Sequence, residues 1–295
     1  MHILLQSIGF GIVDAAILSV SAIGFSLQFG MTNVMNLAYG SLMTLGALVA
    51  YLMNRHHVSI WVGALVGSVA VGLVSLVLGL TIFRAFARRG ARVFEMAIVG
   101  VALSLVLDFT LAAVSHSAIY QFSFPQGAAH HIAGMVFTTT QLTIVGVSVA
   151  AIIALETILH RTKLGIAIRA GAANPALARA SGIRTASLLR LTWFISGLLC
   201  GLGGVTLALS YMSVSATTGT GYLPVILTVV VVAGIGALGF TAVAALVLGI
   251  AIEVVGGYGL AAYNVSIALG VLLVMLLIRP QGFFGQLFER VDVTA

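Results

Sequence analysis

Charge is what this sequence has least of. Only 7% of its 295 residues are Asp, Glu, Lys or Arg, against about a quarter in a soluble domain. So few ionisable groups cannot cover a water-exposed surface of this size, which excludes a soluble globular protein. There is one cysteine, Cys200, so no internal disulfide can form. There is one lysine, Lys163, and Leu164 follows it. A phosphate-binding loop G-x-x-x-x-G-K-[ST] needs Ser or Thr after its Lys, so the chain carries no such loop and is not itself an ATPase of that class. No nucleophile–base pair, metal-ligand cluster or cofactor motif stands out. His130 and His131 are adjacent, and neighbours in sequence rarely converge on one ion; they read as a solvated loop. The first apolar run lacks a basic leader and runs long, so no cleavable signal peptide is expected.

Apolar residues are what the chain has instead. They make up 61% of it, with a mean hydropathy of +1.20. Long apolar runs alternate with short polar gaps, which favours helices of about 20 residues over the short alternating strands of a barrel. The expected fold is an all-α integral membrane protein. The runs are 8–29, 30–53, 59–83, 95–115, 142–159 and 191–211, then 222–278 in three pieces divided by glycines at 234–239 and 256–259. The bundle therefore has eight or nine transmembrane helices: nine if every run crosses, eight if one glycine-broken piece is re-entrant. The net charge is +6, and the basic residues sit in the gaps. That is the positive-inside pattern rather than a nucleic-acid signal. It places the loop with Arg84, Arg88, Arg89 and Arg92 in the cytoplasm, and Arg279 and Arg290 place the C-terminus there too.

One segment is built to meet something in water. Residues 161–190 hold six of the thirteen basic residues, and no acid falls between Glu156 and Glu253. Asn174 is a good N-cap, Pro175 suits the first helical position, and Gly182 suits a left-handed C′. These mark a helix of about two turns on the cytoplasmic face, either a docking element or a basic loop against anionic lipid.

Polar residues within the runs are few. Asn33, Asn36, Tyr39 and Thr44 accompany Gly30, Gly40 and Gly46. This reads as a broken helix that either lines a path for a small zwitterion or amide, or packs its amides on a neighbour. Gly234 and Gly236 belong to a second broken piece in the other half, and such pairs point to a substrate path. Asp14 lies near the end of the first run. Asp108 and Glu253 are intramembrane acids, each a functional-site hypothesis by default. The structural alternative for Asp108 is a protonated acid bonded to a neighbouring Ser or backbone carbonyl.

Three stretches carry a resemblance. Thr162, Leu164, Gly165, Ala167, Arg169 and Ala170, then Asn174, Pro175, Ala178, Gly182 and Ile183, fit T-x-L-G-x-A-x-R-A followed by N/D-P-x-x-A-x-x-x-G-I. Residues 35–40 (MNLAYG) are similar to I-N-F-A-H-G, with Tyr39 in place of His, so no imidazole is available there. Residues 279–285 (RPQGFFG) are similar to R-P-Q-G-L-F-G. Together they resemble the permease subunits of branched-chain amino-acid ABC transporters, in family order over nearly the whole chain. A fourth family pattern, G-G-x-G-S-x-P-G-A, is matched only in part, with Ala233, Ala237, Gly239 and Phe240 departing from it.

The resemblance implies a single permease domain over 1–295 in the bacterial-type inner (plasma) membrane, with a cytoplasmic coupling helix. The implied partners are two ATP-binding subunits, a second permease and a periplasmic or lipid-anchored substrate-binding protein, with no nucleic acid. No cofactor belongs to this chain, since the partners bind the ATP. The implied coupling residues are Gly165, Arg169, Asn174, Pro175, Ala178, Gly182 and Ile183, with Ala178 permitting close approach of the ATPase. The candidate path residues are Asn33, Asn36, Tyr39, Gly40, Gly234 and Gly236. Urea and short amides are alternative solutes. A different class of function is a stand-alone ion-coupled carrier using Asp108 and Glu253, which has no use for a docking segment. A structural membrane subunit would leave the polar, glycine-broken pieces without purpose.

Overall fold

The computed structural model describes residues 2–279 and 282, apart from 133, 235, 261 and 262. Helix α1 (His2–Thr32) crosses the molecule. Residues 33–38 are not helical, and α2 (Tyr39–Arg55) follows. Helix α3 (Ile60–Leu78) continues through one π turn (Gly79–Phe83) into α4 (Arg84–Arg88). After α5 (Val93–Val114) come the short strands β1 (Tyr120–Gln121), β2 (Ala129–Ile132) and β3 (Met135–Thr138). Then follow α6 (Thr139–Arg161), α7 (Lys163–Ala173), α8 (Pro175–Ala180), α9 (Thr185–Tyr211) and strand β4 (Ser213–Val214). The last helices are α10 (Thr218–Ala233), α11 (Leu238–Val255) and α12 (Asn264–Ile278). Among the described residues six helices are long and apolar enough to span a bilayer: Leu4–Thr32, Ile60–Arg88, Val93–Val114, Thr139–Arg161, Thr185–Tyr211 and Leu238–Gly259. Helices α10 and α12 are apolar but shorter. The chain is a multi-pass membrane protein.

The bundle has two unlike ends. At one end β2 and β3 form a hairpin, and β1 pairs antiparallel with β4, Tyr120 opposite Val214. This ties the loop after α5 to the end of α9. Tyr51, near the end of α2, stacks on Tyr120 with ring centroids 4.6 Å apart. A Cβ at Gly9 in α1 would lie 3.4 Å from Met135 Cβ, so α1 begins at this strand pole. The other end carries α7, α8 and most of the cationic side chains, whereas Arg55 ends α2 at the strand pole. A Cβ at Gly171 in α7 would come within 2.8 Å of Met31 Cε, so α1 ends there. The hairpin replaces the featureless loop expected for 116–141, where no alternation signals strands.

Helix α2 sits in the middle. Helices in lipid gain little from burying apolar surface on one another and associate through close packing. The crossings on α2 show how close. A Cβ at Gly40 would stand 2.7 Å from Thr220 Cα, and one at Gly67 in α3 would stand 2.6 Å from Gly46 O. The same device joins α1 to α11, where a Cβ at Gly249 would meet Ala15 Cα at 2.7 Å. Hydroxyls buried in the helices bond back to their own turn: Ser19 donates to Ala15 O at 2.7 Å and Ser68 to Ala64 O at 2.7 Å. No water is needed to satisfy them. The outward faces of α5 and α12 are apolar, with Phe94, Phe109 and Leu277 exposed.

Candidate functional site

The break between α1 and α2 is built residue by residue. Asn33 adopts a left-handed backbone, φ 55°, which Asn tolerates better than most residues. Its N–H donates to Phe29 O at 2.7 Å and closes α1. Thr32 Oγ1 donates to Gln28 O at 2.6 Å and accepts from Val34 N at 3.2 Å. The chain then runs back into the bundle, and Tyr39 N donates to Asn36 O at 3.2 Å to start α2. Gly100 of α5 makes room, since a Cβ there would lie 2.7 Å from Leu37 N. Non-helical backbone at this depth is tolerated only where protein encloses it or a wet cavity adjoins it.

Tyr39 is locked in place. Its hydroxyl donates to Ser21 O at 3.0 Å, with Ser196 O at 3.5 Å, and Cys200 Sγ donates to its carbonyl at 3.2 Å. Its ring meets Phe25 edge-on at 5.4 Å. Ser196 Oγ in turn donates to Gln28 Oε1 at 3.0 Å. Gln28 and Asn36 are each 1% exposed. Among the described residues neither Gln28 Nε2 nor either amide atom of Asn36 has a hydrogen-bond partner. Asn36 and Tyr39 were legible as candidates; Gln28 and Ser196 were not, because single polar residues in an apolar run resemble ordinary packing.

Asp108 lies near the same helix start. Thr220 Oγ1 donates to its carboxylate at 3.0 Å, Ser104 Oγ approaches at 3.5 Å, and Ser104 and Ser41 share a bond of 2.8 Å. The acid thus binds α5 to α2 and α10; Ser104 is a neighbouring serine of the kind expected, but the nearer partner, Thr220, comes from another helix. Thr44 Oγ1 accepts from Gly219 N at 3.0 Å. Asp14 accepts from Tyr222 OH at 2.6 Å and ties α1 to α10. Glu253 lies half-buried on α11.

The cationic pole follows the expected local grammar. Thr162 Oγ1 accepts from Gly165 N at 3.1 Å and caps α7. Only Gly fits at 165, because α7 folds back on α6 and any Cβ would strike the Ile158 and Leu159 carbonyls. Arg169 donates to His160 Nδ1 at 3.4 Å, and His160 Nε2 reaches Glu156 at 3.0 Å. Asn174 Oδ1 accepts from Ala176 N at 3.1 Å and Leu177 N at 3.0 Å, with Pro175 at the first helical position of α8. Gly182 takes φ +81°, its N–H bonds Arg179 O at 3.0 Å, and Ile183 N bonds Ala178 O at 3.0 Å. This pair is a Schellman stop. The faces of α8 differ from expectation in one respect. Ala178 is 4% exposed and packs on the chain itself, whereas Leu177 is 64% exposed beside Arg179. A bulky residue at 178 would therefore unseat α8 before it met a partner.

The fold brings the two glycine breaks and the basic segment 161–190 together around the end of α1. Gly236 N donates to Ser26 Oγ at 3.1 Å, and a Cβ at Gly30 would lie 3.4 Å from Gly236 Cα. Gly234 and Gly236 have φ of 93° and 90°. Gly282 comes from the C-terminal motif, and a Cβ on it would meet Gly234 Cα at 2.6 Å. Pro280, Gln281 and 283–285 of that motif, and Arg290, lie outside the described residues. An apolar groove between α10 and α12, lined by Val232, Val274 and Ile278, has a volume of about 430 Å³ and little to orient a polar solute.

Residues 7–278 match the family described as "Branched-chain amino acid transport system / permease component". The chain is 27% identical to a probable branched-chain amino acid transport permease protein LivH of Methanocaldococcus jannaschii, covering 93% of this chain and 90% of that one. It is 23% identical to the high-affinity permease protein LivH of Escherichia coli K12 and 25% identical to BraD of Pseudomonas aeruginosa, covering 96% of each chain in both cases. Among solved structures, PsaBC from Streptococcus pneumoniae in complex with Fab is similar at a TM-score of 0.52, with 17% identity over 94% of both chains. That likeness bears on the fold alone.

Proposed function

The chain belongs to the permease components of branched-chain amino acid transport systems, and from that premise we propose that it carries amino acids, branched-chain ones first, into the cell as half of an ATP-driven importer. Two ATP-binding subunits, a second permease and a substrate-binding protein complete the assembly. The C-terminus is cytoplasmic. The six long helices with α2, α10 and α12 make nine passes, which supports placing the strand pole outside.

The observation that carries the coupling reading is α8. It is capped at both ends, stands on the cationic pole, and presents Leu177 and Arg179 outward. An apolar knob on a segment that also carries Arg161, Lys163, Arg179, Arg184 and Arg190 suits a partner with an apolar pocket and an acidic rim. Helix α7 rests on Met31 at the end of α1, so a push on α8 bears on the turn at Asn33. Alternating access follows if that turn and the Gly234–Gly236 break flex together. Hydroxyls already occupy Asp108, which leaves an ion-coupled role for it without support.

The test is copurification in mild detergent. Leu177→Glu places an acid on the exposed face and leaves the buried face of α8 untouched. The variant should insert normally and lose both the ATP-binding subunits and ATP-dependent uptake. Retention of both at wild-type levels refutes the coupling assignment.

A further inference from the structure

We infer that the turn before α2 holds the carboxylate of the transported solute, through Nδ2 of Asn36, Nε2 of Gln28 and the first free backbone N–H groups of α2; this rests on the amino-acid reading above. Three observations converge on the place. First, α2 starts inside the bundle instead of at its surface. Leu42 is the first residue whose N–H donates within the helix start, to Ala38 O at 3.0 Å. Gly40 and Ser41 precede it, where no intrahelical acceptor exists. A helix start carries about half a positive charge and is suited to anions, broken helices in membranes included.

Second, two almost wholly buried carboxamides keep unspent groups, Asn36 in the turn itself and Gln28 on α1, linked through Ser196 to the Tyr39 side chain. Asn36 lies in the turn that opens α2, its carbonyl accepting from Tyr39 N at 3.2 Å. Gln28 shares Ser196 with Tyr39, the first residue of α2. Nε2 of Gln28 and both amide atoms of Asn36 lack partners among the described residues. An unmet buried amide costs about 1–3 kcal/mol, so a chain that keeps two of them near one helix end has a use for them. Third, the chemistry has a sign. The unspent groups are NH donors with one acceptor, Asn36 Oδ1, which suits a carboxylate with an ammonium beside it. No Lys or Arg occurs between Met1 and Arg55. Amides and a helix end hold an anion loosely enough to release it, as passage requires.

The rival is a pair of amides that only pack. Both readings predict that Asn36→Leu, which removes amide atoms without partners, leaves stability unchanged or raises it, whereas Gln28→Met strands the Ser196 hydroxyl and lowers it. They differ in transport. The complete transporter, with its ATPases, partner permease and binding protein, is reconstituted and assayed for thermal stability, basal ATPase activity and ATP-dependent uptake of labelled leucine. We expect Asn36→Leu to melt at or above the wild-type temperature and Gln28→Met somewhat below it, and uptake per unit of basal ATPase activity to fall by about tenfold or more in both. Asn36→Asp, equal in size but negative, should be the weakest. Wild-type uptake by Asn36→Leu and Gln28→Met overturns the site and leaves the transporter reading standing. A wild-type complex that carries no amino acid overturns that reading and this site with it.

Discussion

Asp108 shows what a single residue can and cannot announce. A carboxyl group inside an apolar run is visible at once, and its default reading is functional. Its partner Thr220 lies 112 positions away, and nothing in local spacing pairs them. With that partner in view the acid is a fastener between α5 and the α2–α10 pair. Asp108→Asn keeps an acceptor for the Thr220 hydroxyl, so uptake should stay near wild type. Asp108→Ala leaves that hydroxyl unmet and should cost about 1 kcal/mol, read as a lower melting temperature in detergent. An Asp108→Asn protein that assembles but carries nothing would instead put the carboxylate in the solute path. Gln28 is the converse case. One Gln late in an apolar run reads as an interface residue, and its importance rests on Ser196, 168 positions on.

At the scale of elements, glycine and capping residues are the most legible signals. The breaks near residues 30–46, 234–239 and 256–259 separate helices where the sequence divides them, because glycine both lowers helix propensity and admits a second backbone. Asn174, Pro175 and Gly182 end α8 as their chemistry dictates. Helix ends proved longer than the apolar runs, since helices continue through polar residues to their caps; α6 starts at a Thr138–Gln141 capping box inside a stretch that reads as loop. The depth at which α2 begins was not legible, because it depends on Gly100, Gly219 and Thr220 closing around residues 35–40. That closure yields a test. A methyl group at position 40 would stand 2.7 Å from Thr220 Cα and 2.8 Å from Gly219 O, both backbone atoms that cannot swing aside. Gly40→Ala should destabilise by about 1–3 kcal/mol, visible in detergent melting. An unchanged melting temperature would mean that α10 slides easily past α2.

The molecule as a whole is polarised, and its orientation decides whether it crosses nine times or eight. Helix α10, of 16 residues, is about 24 Å long, less than the roughly 30 Å of a bilayer core, so length alone does not make it a span. Its ends argue for one. It follows β4, which pairs with β1 at the strand pole, and the turn at Gly234 and Gly236 reaches the end of α1. Helix α12 then runs beside it in the same direction, since Thr228 Oγ1 donates to Ala268 O at 3.3 Å while Val232 faces Val274 and Ile278. Cysteine labelling tests this with no background, because Cys200 is fully buried. His130 in β2, Arg184 before α9 and Tyr263 before α12 are exposed. In spheroplasts, an impermeant maleimide should label His130→Cys and Tyr263→Cys at once, and Arg184→Cys only after permeabilisation. Tyr263 discriminates, since both α10 and α11 must cross between Tyr211 and Tyr263 for it to face outward with His130. If Tyr263→Cys is protected until permeabilisation while His130→Cys is not, one glycine-broken piece turns back within the membrane, the count is eight, and the C-terminus lies outside, against the orientation proposed above. If Arg184→Cys reacts in intact spheroplasts, the cationic pole faces outward, and α8 has no access to a cytoplasmic ATPase.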